Sequence, residues 1–172
     1  MSDSVKKYRF LNPCDPRNWA VAVLVFASFA IGHTYALRNA VPAVIPIVID
    51  EANLGFRARL DTGAEVSSIN AIDITVIGSE GRPTRRDVGR QVEFTVLNEA
   101  GERARISATI AGIHAIRTAD CREFRYHVFL TVRHWDHTQR VLMNLNNRAQ
   151  SAEKLLLGRN WLEEGYLVDA TR

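Results

Sequence analysis

The chain has 172 residues, with 22 Lys and Arg against 19 Asp and Glu, and a net charge of +3. This length allows one domain of ordinary size together with a short additional segment. The excess of positive charge is small, and the arginines are spread along the chain without aromatic stacking motifs, so we expect no nucleic-acid partner. Two cysteines, Cys14 and Cys121, are too few to indicate a disulfide framework.

An uncharged apolar segment is the first element along the chain. Residues 18–37, NWAVAVLVFASFAIGHTYAL, contain no Lys, Arg, Asp or Glu. A helix of this length reaches roughly 30 Å, the thickness of the hydrocarbon core of a bilayer. The sequence therefore predicts a single transmembrane helix. A cleaved signal peptide and a buried soluble helix are the alternatives.

The basic residues around this segment predict its orientation. Four precede it and one follows it closely, at Lys6, Lys7, Arg9, Arg17 and Arg38. Because cytoplasmic flanks carry the excess of Lys and Arg, residues 1–17 are expected to stay in the cytoplasm. The chain from residue 38 onward would then lie on the periplasmic side of the inner membrane, where Cys121 could not pair with Cys14.

Beyond the apolar segment the pattern is that of a β protein. Residues 38–44 are predicted to be a linker and residues 45–172 one folded domain. Alternating or short apolar runs bounded by turn residues predict strands at residues 45–49, 56–60, 113–117, 124–132, 141–145 and 166–169, and a hairpin over residues 91–110 with its turn at residues 98–101. A short helix is predicted at residues 160–164, and the polar residues 78–90 are predicted to form a loop. Many short strands favour a closed β-barrel or a sandwich.

The segment ARLDTGAEVSSIN, residues 58–70, places an acidic side chain at a strand end. Asp61 is followed by Thr62, Gly63 and Ala64. Aspartate is common in turns, because its carboxylate bonds nearby backbone N–H groups, and this role alone could explain it. Two carboxyl groups that share one proton can instead supply the base and the acid for amide hydrolysis. Glycine would permit the close approach that such a pair requires, and the Thr62 hydroxyl could bond across to the partner loop.

Asp-Thr-Gly-Ala at the end of a strand resembles the catalytic loop of the retropepsin-like aspartic peptidases. Residues 155–162, LLLGRNWL, resemble a later segment of that family, in which apolar residues precede Gly-Arg-Asn and another apolar pair. An ordinary turn and an ordinary helix start could explain each segment separately, but not the occurrence of both motifs in one chain. The resemblance covers roughly residues 45–172.

The resemblance implies a mostly β fold, a closed acid-protease barrel with one lobe per chain. It places the second motif beside the catalytic loop, with Gly158 allowing close contact, and a substrate-covering flap at residues 113–126. About ninety residues separate the two motifs, more than in the viral enzymes. In this respect, and in the ending NWLEEGYLVDATR, the chain is more similar to a bacterial subfamily that carries the label of ATP-dependent zinc proteases.

The residues themselves give that label little support. The chain contains neither a GxxxxGK[ST] phosphate loop nor a His-Glu-x-x-His motif. His134 and His137 have the spacing of a metal-ligand pair, but on a strand or turn that spacing need not bring two rings together. We therefore predict no metal and no cofactor, and keep a zinc-dependent peptidase as an alternative.

One catalytic aspartate per chain implies a homodimer, because the dyad needs two. A two-fold axis would bring together Asp61 of both subunits, and membrane anchoring would raise their effective concentration. Asp169 is the internal rival, but the residues around it, Val-Asp-Ala, lack the Thr-Gly of the motif. The sequence thus predicts a membrane-anchored aspartic endopeptidase. A non-catalytic peptide-binding module with the same fold is the alternative from another class.

The substrate is expected to be a peptide or protein, and an acidic one is favoured by arginines in the flap segment. The backbone N–H of Ala64 is a candidate for substrate binding. Arg117 and Arg125 are the candidate side chains, because a guanidinium group pairs with carboxylates in a bidentate manner. Solvated arginines on an exposed strand face are the alternative.

Overall fold

The structure is a computed structural model, and the chain divides into two compact units, Met1–Ala40 and Val41–Arg172. It describes Ala20, residues 23–28, 40–79, 81–117, 122–163 and 165–169, and Thr171, without the side chains of Ile116, Arg117 and Arg122.

The first unit is described at Ala20 and residues 23–28, which are helical. Val23, Leu24, Val25 and Phe26 are between 61% and 77% exposed. In the described part of the chain, no helix is both long and apolar enough to cross a membrane. Most of the predicted transmembrane segment, residues 18–37, lies outside the described residues, so the span stays a prediction.

The second unit consists mainly of β-strands. Its described strands are β1 (Ala40–Pro42), β2 (Val44–Ile49), β3 (Leu54–Leu60), β4 (Ser67–Val76), β5 (Gln91–Leu97), β6 (Arg103–Arg117), β7 (Arg122–His134), β8 (His137–Asn146), β9 (Leu155–Leu157) and β10 (Leu167–Asp169). A 3₁₀ helix spans Arg85–Asp87, and a short helix, α1, spans Arg159–Leu162. The predicted mostly β class is confirmed.

The strand pairings close into a ring. β2 pairs with β3, β3 runs parallel to β9, β9 pairs with β4, and β4 runs parallel to β8. β8 pairs with β7, and β7 returns to β2. β5 and β6 make a second path from β4 to β7, while β1 pairs with β10 in a separate two-stranded sheet. Ring closure leaves few free sheet edges, as in other β-barrels.

The core follows the two-residue period of the strands. Ile45, Ile47 and Ile49 of β2 point inward, and so do Phe56 and Leu60 of β3. Full burial of each such side chain contributes about 1.5–3 kcal/mol. The inward alternation of β3 was predicted from the sequence, and it brings the strand to Asp61 with a fixed orientation.

Three segments differ from the expectations. β4 was not predicted, because it buries Ser67, Ser68 and Asn70 and so lacks an apolar period. β6 is one long strand where two separate arms were expected, and a register shift near Gly112 divides its pairing with β7. The predicted linker, residues 38–44, contains β1.

The predicted loop, residues 78–90, is attached to the barrel through Asp87. The Asp87 side chain accepts hydrogen bonds from the Thr84 N–H at 2.8 Å and from the Tyr126 hydroxyl at 2.9 Å. Hydrogen bonds from Ser79, the Thr84 backbone and Tyr126 lower the pKa of Asp87 to about 2. Burial, followed by the bond to Asp87, raises the pKa of Tyr126 to about 12. The loop is therefore held against β7, which forms one arm of the predicted flap.

Candidate active site

Asp61 lies immediately after β3, beside the end of the parallel strand β9. Its N–H donates to the carbonyl oxygen of Leu157 at 2.9 Å. In the parallel register Leu60 lies opposite Leu157, so β3 and β9 end at the same edge. The two motifs, about a hundred residues apart in sequence, are therefore neighbours.

The turn after β3 holds the Asp61 carboxylate. Oδ1 accepts hydrogen bonds from the N–H of Gly63 at 2.9 Å and from the N–H of Ala64 at 3.2 Å. A Cβ on Gly63 would lie 3.2 Å from Oδ1, closer than ordinary contact. Asp61 is half-buried, whereas Thr62 and Gly63 are exposed. The carboxylate is thus oriented at the surface of the chain, with the two predicted motif residues facing outward.

The start of α1 holds the backbone of this loop. The Arg159 side chain donates from Nη1 to the carbonyl oxygens of Thr62 at 3.3 Å and Gly63 at 3.4 Å. The Arg159 N–H donates to the Ala64 oxygen at 2.8 Å, and the Asn160 N–H to the Glu65 oxygen at 3.2 Å. The conformation of the Asp61 loop therefore depends on the second motif as well as on its own turn.

Gly158 allows this contact, as the sequence predicts. A Cβ at residue 158 would lie 2.8 Å from the Ala64 oxygen, 3.0 Å from the Val66 carbonyl carbon and 3.2 Å from the Ser67 nitrogen. All three atoms belong to the backbone and cannot rotate away. Only glycine fits between the loop and the helix start without displacing one of them.

A buried polar network joins the second motif to β4 and β8. The Asn160 Oδ1 accepts hydrogen bonds from the N–H and the hydroxyl of Ser67 at 3.0 and 2.8 Å. The Asn160 Nδ2 donates to the Leu142 oxygen at 2.8 Å, and the Gly158 N–H donates to the Ser67 hydroxyl oxygen at 3.0 Å. Ser67 was not identified from the sequence, because its partner is 93 positions away.

Arg148 was also missed by the sequence analysis, although its charge interacts with that of Asp61. Its Nε and Nη2 each donate to the Glu153 carbonyl oxygen at 3.4 Å. Burial lowers the pKa of Arg148; the charges of Arg125 and Arg59 lower it further, while Glu153 and Asp61 act in the opposite direction. Arg148 is thus within electrostatic reach of the carboxylate and of two other arginines.

The predicted flap corresponds to the outer part of the β6–β7 hairpin, where Ile113 pairs with Tyr126 and Arg117 with Arg122. Residues 118–121, including Cys121, lie outside the described residues, and so does the side chain of Arg117. The Arg125 side chain is described and is 16% exposed. The structure therefore brings Arg125 into the charged group around Arg148, while the position of the Arg117 guanidinium stays a prediction.

The two histidines with metal-like spacing belong to an aromatic cluster. His134 and His137 are paired residues at the end of the β7–β8 hairpin. A 2.9 Å hydrogen bond joins His134 Nδ1 to the Pro46 oxygen, and both rings make edge contacts with Tyr166, which stacks on Trp161 at 4.3 Å. Among the described residues, no three His, Cys, Asp or Glu side chains form a group that could hold a metal ion. The contacts of His134 are those of a packing residue.

The other aspartates considered from the sequence lack the setting of Asp61. The Oδ1 of Asp169 accepts hydrogen bonds from the N–H and the hydroxyl of Thr171, at 3.0 and 2.5 Å. Asp73 has a φ of 52° and an exposed side chain on β4. Asp120 lies outside the described residues. Of the described candidates, Asp61 alone is followed by a Thr-Gly turn whose N–H groups donate to its carboxylate.

Comparison with known proteins agrees with this geometry. Residues 46–172 match a family model described as RimB-like, retropepsin-like aspartic endopeptidase RimB. The chain belongs to the RimB-like family. That description names neither zinc nor ATP, so the finer label suggested by the resemblance gains no support.

A solved structure shares the RimB-like fold of this chain. Lpg0085 of Legionella pneumophila, a protein of unknown function (DUF785), is similar with a TM-score of 0.61 and 25% sequence identity. The similarity covers 77% of this chain and 94% of the Legionella chain. A search of curated proteins found no match.

Proposed function

We propose that this chain is an aspartic endopeptidase that hydrolyses peptide bonds with a dyad of two Asp61 carboxylates, one from each subunit of a homodimer. The observation that carries the proposal is the Asp61 loop. Its carboxylate is oriented by two N–H groups, and its backbone is held by Gly158-Arg-Asn. Membership of a family described as aspartic endopeptidases supports the same chemistry.

The dyad needs a second chain, because the sequence contains one Asp-Thr-Gly. Thr62 and Gly63 are exposed in the single chain, where a two-fold axis could bring two loops together. The ionised carboxylate would take a proton from the attacking water. Its protonated partner would donate to the carbonyl oxygen. As the intermediate collapses and the C–N bond breaks, the carboxyl group that took the water proton would pass it to the leaving nitrogen, and the other carboxylate would recover its proton from the gem-diol hydroxyl. Thr62 would brace the paired loops.

The proposed substrate is an acidic peptide bound as an extended strand below the β6–β7 hairpin. Main-chain hydrogen bonds would provide affinity. The Ala64 N–H, the substrate donor expected from the sequence, donates to the Asp61 Oδ1 at 3.2 Å, so we assign it to the carboxylate instead. Arg148 lies within electrostatic reach of Arg59, Arg125 and Asp61, and Arg117 is on the facing strand of the hairpin. A group of arginines around Arg148 favours a substrate that brings carboxylates of its own.

We further propose that residues 18–37 anchor the enzyme in the inner membrane, with the catalytic domain on the periplasmic side. Support comes from the uncharged length of the segment and its preceding basic residues. The exposed Val23, Leu24, Val25 and Phe26 also favour an apolar environment for the helical residues. The test fuses two reporter enzymes separately to residue 172, one that works only in the periplasm and one that works only in the cytoplasm. Activity of the periplasmic reporter alone would support this topology, and activity of the cytoplasmic reporter alone would exclude it.

The catalytic proposal is tested with Asp61→Asn, a nearly isosteric change that removes the carboxylate. The wild type should cleave a peptide library with an acid-shifted pH optimum and be inhibited by pepstatin. Asp61→Asn should fold and bind but cleave nothing, whereas the control Asp73→Asn should retain activity, because Asp73 is exposed on β4.

Two other outcomes are informative. Cleavage that survives Asp61→Asn and is lost with chelators would favour the zinc-dependent alternative. Peptide binding by the wild type without any cleavage would favour a non-catalytic binding module.

A further inference from the structure

An ion pair within the flap strand concerns the selectivity of the proposed site. Glu123 and Arg125 are two residues apart on β7, so their side chains lie on the same face of the strand. The Arg125 Nη2 is 2.7 Å from the Glu123 Oε2. This hydrogen bond from Arg125 is the main reason that the pKa of Glu123 is lowered. Glu123 is therefore an ionised partner of Arg125 at neutral pH.

The two members of the pair differ in burial. The Arg125 side chain is 16% exposed, whereas that of Glu123 is 47% exposed. Burial fixes the guanidinium in place, while the carboxylate can leave for solvent at little cost, because an exposed ion pair contributes only weakly. The Arg125 Nε is buried and has no hydrogen-bond partner among the described residues. A peptide carboxylate would therefore meet the Nη end of Arg125, where Glu123 is bound.

Arg125 also borders a space large enough for a peptide side chain. With Pro83, Phe124 and Leu145 it lines a cavity of about 220 Å³ at the root of the flap hairpin. It is within electrostatic reach of Arg148, which in turn is within reach of Asp61. A carboxylate delivered by a bound peptide would meet Arg125 where the Glu123 carboxylate lies in the free chain.

We propose that Glu123 is an internal competitor for Arg125, a specificity-determining residue that a substrate carboxylate must displace. This inference rests on the proposed function. The Glu123 carboxylate neutralises Arg125 in the absence of substrate and weakens the binding of peptides with a single acidic residue. Peptides with several carboxylates engage Arg125 and Arg148 together and displace Glu123 more readily.

The test compares Glu123→Gln with wild type on a Glu-rich peptide and on its Gln-substituted counterpart. Glu123→Gln should lower KM for the Glu-rich peptide about two- to five-fold at low salt, the range expected for one exposed ion pair. KM for the Gln peptide should be unchanged. The gain should shrink at high salt because of screening. In an Arg125→Gln background the same substitution should have no effect.

A matched control is available in Glu93→Gln. Glu93 forms a 3.0 Å ion pair with Arg105 and is 44% exposed, close to the exposure of Glu123. The substitution Glu93→Gln should leave the KM values for both peptides unchanged. An unchanged or raised KM for the Glu-rich peptide in Glu123→Gln, or an equal decrease for both peptides, would overturn the inference.

Failure of this inference can be distinguished from failure of catalysis. Fluorescence anisotropy of the labelled peptides on Asp61→Asn, with and without Glu123→Gln, measures binding alone. If Asp61→Asn binds the Glu-rich peptide equally well with and without Glu123→Gln, the proposed role of Glu123 is overturned. The absence of any peptide binding overturns it as well. Cleavage that persists in Asp61→Asn overturns the dyad instead and leaves the binding comparison valid.

Discussion

The clearest structural prediction concerns Gly158→Ala. The added Cβ would lie 2.8 Å from the Ala64 oxygen, against at least 3.4 Å for ordinary contact, so the loop or α1 must move by about 0.6 Å. Gly158 has φ −89° and ψ −172°, which alanine adopts without strain. The substitution therefore tests the contact and not the backbone conformation.

The expected cost of Gly158→Ala is that of overpacking, about 1–3 kcal/mol. For a domain of this size it lowers Tm by roughly 3–12 °C. Displacement of the Asp61 loop should also reduce kcat, by up to about 10²-fold for a shift approaching 1 Å. The assays are differential scanning calorimetry and peptide cleavage, with Km and kcat determined separately.

Gly55→Ala is the matched control. Gly55 lies on β3, and no atom is within 4 Å of an added Cβ there. Alanine at residue 55 should leave Tm and kcat close to wild type. If Gly158→Ala behaves like Gly55→Ala in both assays, the close contact does not position the catalytic loop, and the reasoning is refuted.

Two further predictions concern buried polar groups. Asn160→Ala should lower the free energy of unfolding by about 1–3 kcal/mol for each buried group of Ser67 that loses its partner, as measured by urea denaturation. Asp87→Asn should lower stability at neutral pH. Because the pKa of Asp87 is lowered from 3.8 to about 2, its contribution is fully present above pH 3.8 and is lost as the pH falls through 2. The difference from wild type should therefore disappear towards pH 2.

Asn160→Ala has a matched control, and both predictions have a result that would contradict them. Asn147→Ala removes an amide from an exposed turn and should cost less than about 0.5 kcal/mol. Equal losses in the Asn147 and Asn160 variants would contradict the role of the buried network. For Asp87, a stability difference that is constant from pH 7 to pH 2 would show that the ionised carboxylate is not what stabilises the loop.

The sequence alone predicted the features that depend on local residue patterns and on the two motifs. The alternation in β3 predicted a strand ending at Asp61, because inward and outward side chains repeat every two residues. Contact between Asp-Thr-Gly-Ala and Gly-Arg-Asn was implied by their resemblance to the retropepsin-like peptidases, and the parallel pairing of β3 with β9 accounts for it. The mostly β class followed from many short apolar runs separated by turns.

Other features depended on tertiary structure, because their causes are partners far away in sequence. β4 has no apolar period, since Ser67 and Ser68 are buried against polar partners 93 and 76 positions away. Arg148 shows no local pattern at all. Its position depends on the parallel pairing of β8 with β4, after which the Arg148 N–H donates to the Asn70 Oδ1 at 2.8 Å.

The segment ARLDTGAEVSSIN shows which features were determined by local sequence and which by tertiary structure. Its own residues determined that a strand ends at Asp61 and that a tight turn follows. Tertiary structure decided that Gly158 and Arg159 hold this turn from outside, because a close approach of two backbones is a property of packing and not of either local sequence. The same packing brings Arg148 within electrostatic reach of the carboxylate.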